Sequence, residues 1–184
     1  MIIGLTGKNA SGKGEVAIYL KEKHFIYYSL SDTIREEATK RKLEHSRNNL
    51  IKLGNELRKD KGPDYLAKQI NKKIKQQLSK SQNFVIDSIR SPFEAKELMK
   101  NNGFVLVGID APIKLRFKRL RERNRVGDAK TLEDFKKQEQ RENLKSDTNQ
   151  QLDATFGLAK KVVVNDGTLE ELHKKMDRLL MELK

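Results

Sequence analysis

Cysteine and tryptophan are absent from the 184 residues, and proline and histidine occur three times each. Without Cys there is no disulfide framework, thiolate nucleophile or cysteine-type zinc site. His24, His45 and His173 are scattered, so no histidine-based metal site is expected. The longest apolar runs are about six residues, far short of the ~20 that cross a bilayer. Met1 leads directly into Ile2-Ile3-Gly4-Leu5, with no basic n-region and no long h-region, so no signal peptide is expected. The expectation is a soluble cytoplasmic protein with no membrane partner. There is no Ser/Gly-rich linker, repeat or low-complexity tract. A single domain over residues 1–184 follows, long enough to bury a core.

Acidic charge is also scarce. Lys and Arg number 39 against 26 Asp and Glu, a net charge of +13. Such a balance makes nucleic acid the first suspect. Of these cations, however, 27 are lysines, and lysine-rich helices with Glu partners at i,i+4 are ordinary solvated surface. The positions of the 12 arginines are therefore more informative than the total charge.

Five short apolar runs punctuate the chain: Ile2–Leu5, Phe25–Tyr28, Phe84–Ile86, Phe104–Ile109 and Val162–Val164. Each is continuous rather than alternating, the pattern of strands buried on both faces of a parallel sheet. Helix starts lie between them. Ser91-Pro92-Phe93-Glu94 and Thr168-Leu169-Glu170-Glu171 read as capping boxes, and Thr131 precedes an acidic first turn. Gly103 sits where a helix C-terminal cap is expected. The order predicts an α/β fold with a doubly wound parallel five-stranded sheet and ligands beyond the carboxyl ends of the strands. Residues 32–80 and the stretch from 114 are too long for simple crossovers and read as helical insertions.

The first run opens into Gly7-Lys8-Asn9-Ala10-Ser11-Gly12-Lys13-Gly14, a G-x-x-x-x-G-K loop followed by a helical pattern from Glu15 to Lys23. Such a loop curls so that backbone N–H groups, the helix dipole and the lysine all meet one phosphate. The Ser/Thr that usually follows the lysine and holds magnesium is missing, since Gly14 and Glu15 stand there. Mg²⁺ then depends on phosphates, water and a carboxylate elsewhere.

Further motifs follow in order. Asp32 and Arg35 come three apart after the second run, and Asp87 and Arg90 repeat that spacing at the end of the third. Lys114 to Arg125 holds seven cations and one anion, with Arg119 and Arg123 sharing a helix face at i,i+4 and Arg121 and Arg125 on another. Arg141 lies further along, and the last run ends in Asn165-Asp166-Gly167. With the Lys13-Gly14 loop, this ordered set resembles the adenylate-kinase-like nucleoside monophosphate kinases over nearly the whole chain. Ile3-Gly4-Leu5-Thr6-Gly7 and the Asn165-Asp166-Gly167 tail also resemble deoxynucleotide monophosphate kinases and dephospho-coenzyme A kinases.

The resemblance implies ATP as phosphoryl donor, with Mg²⁺, and a monophosphate acceptor. It implies that Gly7, Asn9, Ala10, Ser11, Gly12, Lys13, Gly14 and Glu15 contact ATP, together with Arg119 and with Asn165 and Gly167 beside the adenine. It gives Asp87 the magnesium shell. Asp32, Arg35, Arg90, Arg123 and Arg141 would hold the acceptor or the transferred group, with Lys13, Arg90, Arg119, Arg123, Asp87 and Asp32 in catalysis. Residues 32–80 would form the acceptor-binding region and 114–145 the lid, with no zinc. Asn48, Asn49, Asn55 and Gln69 are candidate readers of a base or ribose, and Leu50, Leu53, Leu57, Leu66 and Ile70 candidate core. No dedicated nucleic-acid site is implied, only weak nonspecific polyanion binding, and the chain would be a monomer or homodimer. Two alternatives stand open: dephospho-coenzyme A kinase, and a nucleotide-regulated RNA- or ribosome-associated ATPase on the same fold.

Overall fold

Ile2–Thr6 is buried at every position and forms the central strand β1. The chain then runs α1 (Lys13–Glu22), β2 (Ile26–Ser29), α2 (Leu30–Lys40), α3 (Arg47–Lys61), α4 (Tyr65–Gln77) and β3 (Phe84–Asp87). It continues with α5 (Pro92–Leu98), β4 (Phe104–Asp110), α6 (Ile113–Arg123), α7 (Leu132–Glu142), α8 (Leu152–Phe156), β5 (Lys161–Val164) and α9 (Leu169–Glu182). The structure is a computed structural model, and it describes residues 1–77, 82–125, 127–142 and 151–183. Positions 78–80 of the expected acceptor region, and Val126 and 143–145 of the expected lid, lie outside the described residues.

The sheet is parallel throughout, in the order β2-β3-β1-β4-β5. The chain leaves β1 to one side for β2 and β3, then crosses to the other for β4 and β5. The crevice beyond the carboxyl end of β1 is thus a topological switch point, where open α/β sheets bind ligands. Each face carries its own core. One packs Leu30, Leu53, Leu57, Leu66, Ile70 and Ile74 from α2, α3 and α4 against Phe84 and Ile86. The other packs Val16 and Leu20 of α1 and Leu172 and Met176 of α9 against Ile3, Leu5 and Val107. A small third cluster of Leu120, Ala129 and Phe135 holds α7 to α6.

The five apolar runs become the five strands, each shifted or extended by a residue or two. Burial on both faces holds for the interior strands but not for the edges. Val162 and Val164 on β5 are 50% and 43% exposed while Val163 between them is buried, so one face of this edge strand is left uncovered. Leu50 packs against the core only half-buried, whereas the other four expected core residues of this region are buried. Both capping boxes form, and Gly103 takes a φ of 74°. The first helix starts at Lys13 rather than Glu15, with Gly12 as its N-cap.

Candidate active site

The phosphate loop is shaped by close backbone approaches. Gly7 takes a φ of 143°, and a Cβ there would overlap the Ile109 carbonyl oxygen of β4. Gly12 takes a φ of 104°, and a Cβ there would overlap the Asn165 amide. Only glycine accepts both demands. Gly12 caps α1 without a side-chain hydrogen bond, so the positive end of the α1 dipole is left for an anion. Lys13 Nζ curls back over the loop, donating to the carbonyl oxygens of Gly7 at 2.7 Å and Lys8 at 2.8 Å. Ser11 is fully buried, and its Oγ has no hydrogen-bond partner. Around Gly14 a Cβ would meet nothing within 4 Å, so space is open where the usual hydroxyl would stand. Glu15 is exposed.

Two Asp-to-Arg pairs flank this loop. Asp32 and Arg35 are partners of one another, Nη1 donating to Oδ1 at 2.7 Å, and both are about half exposed. Asp87 ends β3, where Ile86 is in register with Gly4, so it stands at the base of the loop. Its Oδ1 accepts from Ser88 N at 2.6 Å, and Ser88 takes a φ of 64°, a costly conformation for a non-glycine residue. Asp87 and Asp32 both act on the Tyr27 phenol. Burial pushes it up first, the Asp87 charge adds to that, Ser29 opposes, and Asp32 adds again. The two carboxylates thus share one neighbourhood at the ends of β2 and β3.

Arg90 is held through its backbone. Its N–H donates to Glu94 Oε2 at 2.9 Å, and its carbonyl accepts from Gln151 N at 2.8 Å. Glu94 is the capping-box residue of α5 and is completely buried. Its Oε1 accepts from Arg58 Nε at 3.0 Å and Nη2 at 2.8 Å. Arg58 is itself 4% exposed, so this ion pair ties α3 to the turn carrying Arg90.

The α6 arginines divide by function. Arg116 is buried and structural: it donates to Ala111 O at 2.9 Å and Asn9 O at 3.3 Å, and pairs with Glu139 of α7. Arg119 donates to Asn165 O and Oδ1, both at 3.1 Å. Asn165 in turn donates its side-chain amide to Ser11 O at 2.9 Å. Asn165 is therefore committed to bridging α6 and the loop. Arg123 reaches Asn9 Oδ1 at 3.1 Å and forks onto Asp128. Burial acts to raise the Asp128 carboxyl, but Arg123, with a backbone donor at Arg125 and the charge of Arg47, brings it below its ordinary value. Arg121 and Arg141 are exposed. Gly167 is exposed and sits against Glu171 in the α9 capping box.

These groups surround a cavity of about 390 Å³, within the size range of ligand sites. Of the expected site residues, Gly7, Asn9, Lys13, Arg35, Arg90 and Arg123 line it. Arg119, Asn165 and Ser11 form its supporting network instead. Arg141, Gly167, Asn48, Asn49, Asn55 and Gln69 are not on its wall. Arg47, Arg58, Arg125, His45 and Asp128 are on the wall and were not expected. Arg58 had a signal: it continues the Leu50, Leu53, Gly54, Leu57 stripe, and an arginine in a buried stripe needs a buried partner. Arg125 was placed by helix periodicity, but α6 stops at Arg123 and Asn124 turns left-handed at a φ of 44°. Among the described residues, Asp128 is the only carboxylate lining the cavity. Ile34, Leu50, Ile51 and Leu66 give it an apolar side.

Among the described residues no cluster of three His, Cys, Asp or Glu forms a metal cage. The residues present fit a phosphate-borne Mg²⁺ instead, with Asp87 at the base of the loop and open space beside Gly14.

Residues 3–142 match the AAA domain family. The UPF0200 protein of Thermococcus gammatolerans is 32% identical, the match covering 100% of this chain and 95% of that protein. The UPF0200 protein PYRAB09750 of Pyrococcus abyssi is also 32% identical, over 100% of this chain and 97% of that one. Among solved structures, shikimate kinase from Bacteroides thetaiotaomicron superposes with a TM-score of 0.62 at 16% identity over 98% of both chains. TT1252 from Thermus thermophilus gives 0.61 at 22% identity over 100% of this chain and 98% of that one. At such identities the likeness shows the fold, that of P-loop kinases.

Proposed function

The chain belongs to the AAA domain family and to the UPF0200 proteins, and from that premise we propose that it transfers the γ-phosphoryl group of ATP to a nucleoside or deoxynucleoside monophosphate. The observation that carries this reading is the cavity wall: Lys13, Arg35, Arg47, Arg90, Arg123 and Arg125 converge against Asp128, the one carboxylate on the wall among the described residues, beside an apolar side. That chemistry suits two phosphorylated ligands, one of them with a flat apolar body.

In this reading the loop backbone and Lys13 hold the donor phosphates. Arg35 and Arg90 hold the acceptor phosphate, whose anionic oxygen attacks the γ-phosphorus as the bond to the bridging oxygen of ADP breaks. Catalysis is then positioning and charge stabilisation. Mg²⁺, when bound beside Asp87, neutralises phosphate charge. Residues 32–80 serve as the acceptor-binding region and 114–145 as a lid that excludes water. Arg141, exposed on α7, joins the site only on lid movement. Arg119 acts through Asn165 on the loop. A hydroxyl acceptor such as dephospho-coenzyme A would need a base, for which Asp32 is the candidate, but Arg35 and Arg90 on one cavity wall offer two guanidinium groups to an acceptor phosphate, which favours the monophosphate.

The test is ATP turnover against ribo- and deoxyribonucleoside monophosphates, dephospho-coenzyme A and shikimate. Acceptor-dependent ADP formation at roughly 1–100 per second with a monophosphate is expected. Lys13→Ala abolishes it, and Arg35→Ala raises the acceptor KM more than the ATP KM. Turnover unaffected by every acceptor but stimulated by RNA would overturn the reading in favour of the RNA-associated ATPase.

A further inference from the structure

The turn after α6 carries a carboxylate that the roles above do not use. Asn124 ends the helix, and Asp128 N then donates to Arg125 O at 3.1 Å. The turn brings Asp128 back onto the last residue of α6. Its side chain is only 7% exposed. Its Oδ2 accepts from Arg123 Nε and its Oδ1 from Arg123 Nη2, both at 2.9 Å. Such a two-point fork fixes a guanidinium in direction as well as in place. Nη2 is shared with Asn9 Oδ1 of the phosphate loop at 3.1 Å. Asp128 also pairs with Arg47, the first residue of α3, at 3.5 Å. One carboxylate thus meets the helix end, the acceptor-side helix and, through Arg123, the loop. Among the described residues, Arg123 Nη1 carries no hydrogen bond, and Arg123 lines the cavity.

We propose that Asp128 is a positioning residue for phosphoryl transfer: it clamps the Nε/Nη2 edge of Arg123 against the phosphate loop and leaves Nη1 for the transferring group. This rests on the phosphotransfer reading above. Without the clamp, Arg123 shares a cavity with several like charges and regains the rotamer freedom of a long side chain. An amide in place of the carboxylate offers one acceptor oxygen and turns an NH₂ toward guanidinium donors, so Asp128→Asn breaks the fork at nearly constant volume.

The experiment is a cycle of wild type, Asp128→Asn, Arg123→Ala and the double variant, read in turnover and in calorimetric ATP affinity. Asp128→Asn is expected to lower kcat about 10–100-fold with the ATP KM within about threefold, and to leave a folded protein. In the Arg123→Ala background the same change is expected to alter kcat less than about twofold, because a residue acting through Arg123 has nothing left to position. Equal losses in both backgrounds, or an unchanged kcat in the folded single variant, overturn the proposal. If Asp128→Asn does not fold, Asp128→Glu replaces it in the cycle under the same criteria. If the wild type turns over no acceptor, the phosphotransfer reading falls. The clamp, which is stated for that transfer, falls with it, whereas acceptor-dependent turnover with additive losses overturns the clamp alone.

Discussion

The pair of Arg58 and Glu94 shows how single residues set this site. Glu94 is fully buried and accepts from Arg58, from the N–H of Arg90 and from Ser91. Removing one member leaves the other charged and dry, which costs about 3–5 kcal/mol, whereas removing both charges together costs less. Arg58→Met should therefore lower stability by that amount in urea unfolding, and adding Glu94→Gln should recover part of the loss. The sequence exposed Glu94 only as a capping residue, because a capping box is a spacing of three. Its partner lies 36 positions away, and no local spacing reports such a distance. The same limit hid Arg47 and Asp128, which meet across 81 positions. Lys13, by contrast, was legible because its loop is contiguous.

Elements were more readable than contacts. The strands announced themselves as apolar runs, and α5 and α9 by caps whose geometry is local. Thr168 Oγ1 accepts from Glu171 N at 3.2 Å, and Glu171 returns a carboxylate to Thr168 N at 2.7 Å. Thr168→Ala should cost about 1 kcal/mol, a fall of roughly 2–4 °C in melting temperature for a chain of this size, with turnover unchanged. The edge strands were the part not legible. A continuous apolar run looks the same at the middle of a sheet and at its border. The order β2-β3-β1-β4-β5, which leaves Val162 and Val164 half exposed, is decided by crossovers rather than by strand sequence.

For the whole molecule, the charge of +13 resolves into two populations. Lysines mostly stand on helix surfaces, several paired with acids one turn away. Arginines from α2, α3, α6 and the turns after β3 and α6 converge on one cavity. The ordered motifs made the fold and the loop side of that cavity readable, while its far wall depended on how α3 packs. The convergence also has a consequence for motion. Asn9 is held at its carbonyl by Arg116 and at its side chain by Arg123, although the loop runs straight into α1. Local opening of the loop must therefore break contacts with α6. In native-state hydrogen exchange the loop amides should exchange in step with α6 as one cooperative unit rather than with α1. Arg116→Ala should speed Ser11 amide exchange while leaving the amides of Val16 and Leu20 protected.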